Sequence, residues 1–308
     1  MMRKMGSLFL VGAMVMSLAG CGSQNSGGTT TADGNGGKED TTATVNQDES
    51  AGTSNEAENS GEKGSEAALE DGEGGSKFTV GFDQDFPPMG FVGDDGAYTG
   101  FDLELAKEVA SRLGMEFVPQ PIAWDSKDME LNSGTIDCIW NGFTMNGREE
   151  DYTWSEPYMD NSQVFVVAAD SGIQSFGDLA GKIVEVQADS SAEAALKDNQ
   201  ELAGTFGTLQ TTPDYNTAFM DLEMGAVDAI AMDVIVAGYQ IEQRADGDKY
   251  VVLEETLASE EYGIGFKKGN EELRDQVQKI LEEMAADGTL KTISEKWFGR
   301  DVTTIGKE

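Results

Sequence analysis

ELNSGTIDCIW, residues 130–140, is echoed about 90 residues later by DLEMGAVDAIAMD, residues 221–233. In each, a leucine near a helix end (Leu131, Leu222) is followed three residues on by a glycine (Gly134, Gly225). An apolar residue and an aspartate come next, Ile136-Asp137 in the first and Val227-Asp228 in the second, and a run of strand formers follows. A helix that closes on a left-handed residue and turns at once into a buried strand needs this chemistry, because glycine takes the left-handed position without a steric penalty. One such unit means little. Two of this length at this separation predict two lobes of similar build rather than a short-period repeat array.

Around the echo, short apolar runs alternate with amphipathic ones from Lys77 onward. FTVGF (78–82) reads as a buried strand. GFDLELAKEVASRLG (100–114) places Leu103, Ala106, Val109 and Leu113 at helical spacing, with Asp102 as the expected cap and Gly114 as the stop. That alternation predicts an α/β fold with mainly parallel sheets.

The chain before Lys77 is of a different kind. Residues 1–21, MMRKMGSLFLVGAMVMSLAGC, carry Arg3 and Lys4, an apolar run and then small residues, the layout of a secretory signal. The apolar run spans about 15 residues, short of the roughly 20 that a membrane-spanning helix needs. Residues 22–76 hold no aromatic residue and few branched aliphatics, so they bury too little surface to offset the entropy of ordering. A disordered acidic Gly/Ser/Thr-rich linker is expected, with an r.m.s. span of roughly 40 Å. The formal net charge of -36 argues against nucleic acid as a partner, since little here neutralises phosphates. The chain has no histidine, which removes the commonest general base and metal ligand but leaves carboxylates free to act. Of the two cysteines, Cys138 lies in an apolar strand pattern and reads as a small buried hydrophobe, so no intramolecular disulfide is expected.

Two resemblances add to this reading. Leu18-Ala19-Gly20-Cys21 resembles the lipobox of bacterial lipoproteins, which implies a signal peptide over residues 1–20 and a lipidated Cys21 at the head of the mature chain. Two acyl chains suffice for stable anchoring. Farther on, VGFDQDFPPMGF with YTGFDLELAKEVASRLG, then IDCIWNGFT with Arg148 and YTWSEPY, then LRDQVQKILEEMAADGTLKTISEKWFG occur in one order. Over residues 77–308 they resemble the amino-acid-binding proteins of bacterial ABC importers, solute-binding family 3, cluster F. The resemblance implies a two-lobed periplasmic binding protein fold of type II, two α/β lobes joined by two crossing hinge strands. Lobe 1 would comprise residues 77–168 and 261–308 and lobe 2 residues 169–260, with crossings near 168–171 and 259–262. Together the two resemblances imply a monomer, lipid-anchored on the extracellular face of the bacterial membrane, that captures a polar L-amino acid and delivers it to the transmembrane subunits of an ABC permease.

A free amino acid presents a carboxylate, an ammonium and a side chain, so its site needs a cation or amide donors, an anion and a shaped wall. Arg148 offers a planar fork able to grip a carboxylate with two parallel hydrogen bonds; read without the resemblance, it is equally an exposed loop arginine offset by Glu149 and Glu150. Asn141, Gly142 and Thr144 leave a strand end where backbone groups and a hydroxyl become available, and as a bare pattern they also make a polar turn. The resemblance gives Thr144 to the ligand carboxylate and the Gly142 carbonyl to the ammonium. Ser190 stands three residues before Glu193 in capping-box spacing, so Ser190 and Ser191 mark a helix start that is either an anion site or simply a cap. By resemblance this pair meets the carboxylate, with Asp189 where the family usually has glycine. Asp233 matches the ammonium-binding aspartate and also fits an N-cap for VIVAGY. Phe86 and Trp124 match the aromatic walls, although aromatics are more often core. Asp83 aligns with a position that touches polar ligand ends, and Asp85 adds a second acid; two carboxylates favour a cationic or amide-bearing side chain. Between Thr144 and Arg148 stand Met145-Asn146-Gly147, one residue fewer than the resemblance implies, and an Asn-Gly turn with positive backbone angles is the expected compensation. With no evident acid-base pair beyond the residues that would clasp an amino acid, no cofactor, metal or catalytic residue is expected. The rival functions are a ligand-sensing surface lipoprotein and a dehydratase-like enzyme on the same fold.

Overall fold

The computed structural model describes residues 75–307. The signal segment, Cys21 and nearly all of the linker lie outside the described residues. Both echoed units form as expected. Helix Lys127–Ser133 ends on Gly134 at φ 81° and helix Tyr215–Met224 ends on Gly225 at φ 71°, each leading into a strand buried along its whole length, Cys138–Thr144 and Ala229–Asp233. The echoed aspartates explain why the motif occurs twice. Asp137 accepts from the Thr79 amide at 2.6 Å and returns its own N–H to the Thr79 carbonyl at 2.8 Å. Asp228 does the same with Ile183, at 2.8 Å in both directions. In each lobe one carboxylate thus ties the end of the incoming strand to a parallel neighbour.

The strands join in one mixed sheet in the order Thr208–Thr212, Ile183–Gln187, Ala229–Asp233, Met159–Ala168, Ala258–Phe266, Cys138–Thr144, Lys77–Phe82, Glu116–Pro121. The outer neighbours on each side pair parallel, whereas the two long central strands pair antiparallel with each other and with the strands beside them. These central strands cross between the lobes. Residues 159–163 face 258–262, and beyond Gln163 the first strand is already paired with Ala229–Asp233. Residues 259–262 lie inside this antiparallel stretch, whereas residues 168–171 follow it, beyond Val164 to Val167, which pair with Ala229–Asp233.

Helix Phe101–Leu113 buries Leu103, Ala106 and Val109 against the first lobe's sheet and stops at Gly114, φ 69°. Its expected cap is corrected: Gly100 holds that position, while Asp102 is fully buried and turned inward. The C-terminal helices Glu271–Asp287 and Thr289–Phe298 return to this lobe, where Arg112 bonds Asp287 at 2.7 Å and Thr289 at 2.9 Å. Cys138 is buried and free, as expected. Among the described residues no helix is long and apolar enough to cross a membrane.

Candidate binding cleft

Where the lobes meet, one cleft is lined by Phe86, Trp124, Asn141, Gly142, Thr144, Arg148, Gln187, Ser190, Ser191 and Asp233. Its walls stand close together, and the roughly 280 Å³ between their atoms includes space open to solvent. Nine of the ten candidate residues are brought together in it. The tenth, Asp83, stands behind the wall: its carboxylate accepts from Gln187 Nε2 at 2.7 Å and from the Asp85 amide at 2.9 Å, and its own N–H donates to Asn141 Oδ1 at 3.0 Å. Burial pushes the Asp83 carboxyl up to about 6, against the pull of the Asp85 amide and Gln187.

The lobe 1 wall is built on the end of strand Cys138–Thr144. Asp102, which the pattern offered as a cap, instead accepts from the Gly142 amide at 2.6 Å and from the Tyr158 hydroxyl at 2.8 Å. Burial raises its carboxyl to about 7 although both donors work in the opposite direction. This contact holds the strand end at Gly142, whose φ of 56° and close neighbours, Phe86 and Tyr262 within 3.1 Å of any added Cβ, leave room for glycine alone. Past Thr144, the Arg148 amide donates to the Met145 carbonyl at 2.9 Å and Gly147 sits at φ 79°. Asn146 keeps an ordinary backbone, so the turn is type II with one positive angle rather than the two of an Asn-Gly hairpin turn. The shortened spacing does bring Arg148 to the cleft. Its guanidinium lies 5.3 Å over the Phe143 ring and donates to the Thr144 carbonyl at 3.2 Å and the Asp189 carbonyl at 3.3 Å. Glu149, Glu150 and Asp151 face solvent.

The lobe 2 wall begins at helix Ser191–Asp198. Ser190 caps it, accepting from the Glu193 amide at 3.1 Å, but the Glu193 carboxylate takes the Asp189 amide at 2.8 Å instead of the Ser190 amide, so the reciprocal arm lands one residue early. Ser191 Oγ lies 3.2 Å from Thr144 Oγ1 across the cleft. Asp189 keeps the backbone that a glycine would adopt, φ 58°, and its carboxylate turns away from the cleft to Lys127 of lobe 1, a buried lysine whose ammonium also sits 5.1 Å over Trp124. Desolvation lowers the Lys127 ammonium and Asp189 offsets part of that.

Asp233 is not a side-chain cap for helix Val234–Gln243. Its Oδ1 accepts from Tyr262 at 2.6 Å and from Asn161 and Gln163 at 2.8 Å each. Those two amides also donate to Glu260 Oε1, at 2.6 and 2.7 Å. Burial first and the Glu260 charge second push the Asp233 carboxyl up to about 7. Glu260, Asn161, Gln163, Gln187 and Lys127 were missed in the sequence; the one available signal was the polar run Asp160 to Gln163 opening an otherwise apolar strand.

Known proteins share this build. Residues 78–300 match the family described as bacterial extracellular solute-binding proteins, family 3. The L-cystine-binding protein TcyJ of Escherichia coli is 36% identical over 227 residues, 73% of this chain and 83% of that protein. The arginine-binding extracellular protein ArtP of Bacillus subtilis is 31% identical over 73% of this chain and 87% of its own. A substrate-binding protein of an ABC uptake transporter from Streptococcus pneumoniae, solved with bound histidine, superposes with a TM-score of 0.71 at 37% identity, covering 74% of this chain and 94% of that one. With the matched segment running from the first strand through the last helix, the chain belongs to the family-3 bacterial extracellular solute-binding proteins.

Proposed function

We propose that the protein captures one free amino acid with a cationic or amide-bearing side chain in this cleft and hands it to an ABC permease. The observation that carries the reading is the pairing of opposite charges in one small cleft: Arg148 beside the capped helix start at Ser190 and Ser191, and the buried Asp233 carboxylate. A zwitterion is the ligand that satisfies both. Arg148, Thr144 and Ser191 take its carboxylate, Asp233 and the Gly142 carbonyl its ammonium, and Phe86 and Trp124 its side chain. Asp83 acts one layer back, through Gln187. The side-chain preference is supported by an adjoining depression that shares Trp124 and is lined by Asp83, Asp85, Asp125 and Asp214. Contacts that join the lobes, Thr144 to Ser191 and Asp83 to Gln187, are those that a ligand-driven closure would make. Lipid anchoring through Cys21, a monomeric state and docking to the permease complete the proposal.

The test is a thermal-shift panel of the twenty amino acids with ornithine, citrulline and cystine on the full chain. A ligand at about 100 times its Kd stabilises by roughly 2.7 kcal/mol. Silence across the panel overturns the reading, and tightest binding of aspartate or glutamate overturns the side-chain class. One observation favours a dehydratase-like enzyme as the second reading: a buried carboxyl with a raised pKa, Asp233, suits a catalytic acid. Turnover of the bound amino acid would decide for it.

A further inference from the structure

Strand register places two carboxylates on one spot. Asp233 is paired with Gln163, and Glu260 with Asn161, on opposite sides of strand Met159–Ala168. Residues two apart on a strand share a face, so Asn161 and Gln163 present their amides together, and each amide nitrogen lies within 2.8 Å of both Asp233 Oδ1 and Glu260 Oε1. Both acids are buried. The carbonyl oxygens of the same two amides find no donor among the described residues. The site is therefore rich in acceptors and short of positive charge. Around it stand Tyr262 beside Glu260, Tyr215 from helix Tyr215–Met224, Ser191 from helix Ser191–Asp198, Asp83 beyond Tyr215, and Arg148 as the cation that lines the same cleft. Two ionised carboxylates at such separation repel strongly where water is excluded, and a proton between them relieves that repulsion.

Resting on the amino-acid-binding reading, we propose that Glu260 makes capture proton-linked: the unliganded protein holds one proton between the Asp233 and Glu260 carboxyls, and the ligand ammonium displaces it to solvent. The ammonium brings one positive charge and one proton leaves, so the net charge of the site is unchanged. Burial of the pair supports this, since it holds the Asp233 carboxyl near 7, within reach of an ammonium's displacing effect. Glu260 lies on a crossing strand, so the exchange occurs where the lobes hinge. Affinity then falls toward acid pH, by up to about tenfold per pH unit below the Asp233 midpoint.

Two measurements on the full chain test the proposal. Carboxyl carbon NMR of the ligand-free protein should show Asp233 titrating near neutrality in the wild type and at lower pH in Glu260→Gln. Calorimetry with L-arginine, L-glutamine and L-cystine at pH 6, each in two buffers of different ionisation enthalpy, should show release approaching one proton per ligand, and Glu260→Gln should release much less. An Asp233 midpoint in the ordinary carboxylate range overturns the proposal, as does binding without proton release. If none of the probes binds, the capture reading fails for all three, and the NMR titration still decides where the proton sits.

Discussion

The two echoed units share a helix end, a left-handed glycine and an aspartate that ties the next strand to its neighbour, yet they finish differently. In lobe 1 the strand runs on through Gly142 to Thr144 and a type II turn that presents Arg148. In lobe 2 the strand stops at Asp233 and a helix begins at once. One backbone device therefore ends in a cation on one wall and in a buried anion on the other. The fold is set by what the units have in common, and the proposed ligand chemistry by the few residues after each strand.

Replacing the cation breaks the comparison most severely. Arg148→Ala is expected to cost about 4 kcal/mol of binding, near a thousandfold in Kd, because a desolvated ligand carboxylate loses its fork. The unliganded melting temperature should hardly move, since the guanidinium otherwise makes two long bonds to carbonyl oxygens. Calorimetry and a melting curve check both halves, and lysine at 148 should not restore affinity. Asp233→Asn on the opposite wall should cost about 3 kcal/mol while relieving the repulsion from Glu260 in the unliganded protein. A melting temperature that falls instead would mean that Asp233 is chiefly structural.

These walls differ in how far the sequence disclosed them. The echoed glycines, the strand ends and the position of Arg148 are local features, carried by residues adjacent in the chain, and they were legible. Glu260, Asn161 and Gln163 reach the site only because three strands far apart in sequence adopt one register. Nothing local announces a register between distant strands. Asp102 was misread for a related reason: a carboxylate at a helix start suits a cap, and only the approach of Gly142 and Tyr158 shows that it serves the core.

Asp102 also gives the comparison a pH signature. In the unfolded chain its carboxyl loses its proton as pH rises through the ordinary carboxylate range, about 3.9, whereas in the folded protein burial holds its pKa at about 7. The folded state therefore binds more protons between those values, and stability is fully present below the unfolded pKa and declines as pH rises through about 7. One such group removes roughly 2 kcal/mol between pH 5 and pH 7.5. Urea denaturation at the two pH values should show this loss, and Asp102→Asn should reduce it; Asp83, raised to about 6, contributes in the same direction. Equal stability at both values would contradict a carboxyl desolvated by burial beneath Gly142.

The smallest effect isolates a place where the walls touch outside the proposed ligand contacts. Lys127 is 2% exposed at its side chain and Asp189 53% exposed, so one end of this pair is dry and the other is screened by water. Asp189→Ala leaves a buried ammonium without its partner and keeps a side chain on a left-handed backbone. Asp189→Gly loses the same partner but removes the backbone penalty, which is worth about 1 kcal/mol. The glycine variant should therefore melt higher than the alanine variant by that margin, with both below the wild type. If the two variants melt together, the left-handed backbone costs nothing here; if both match the wild type, the pair contributes nothing to holding lobe 1 against lobe 2.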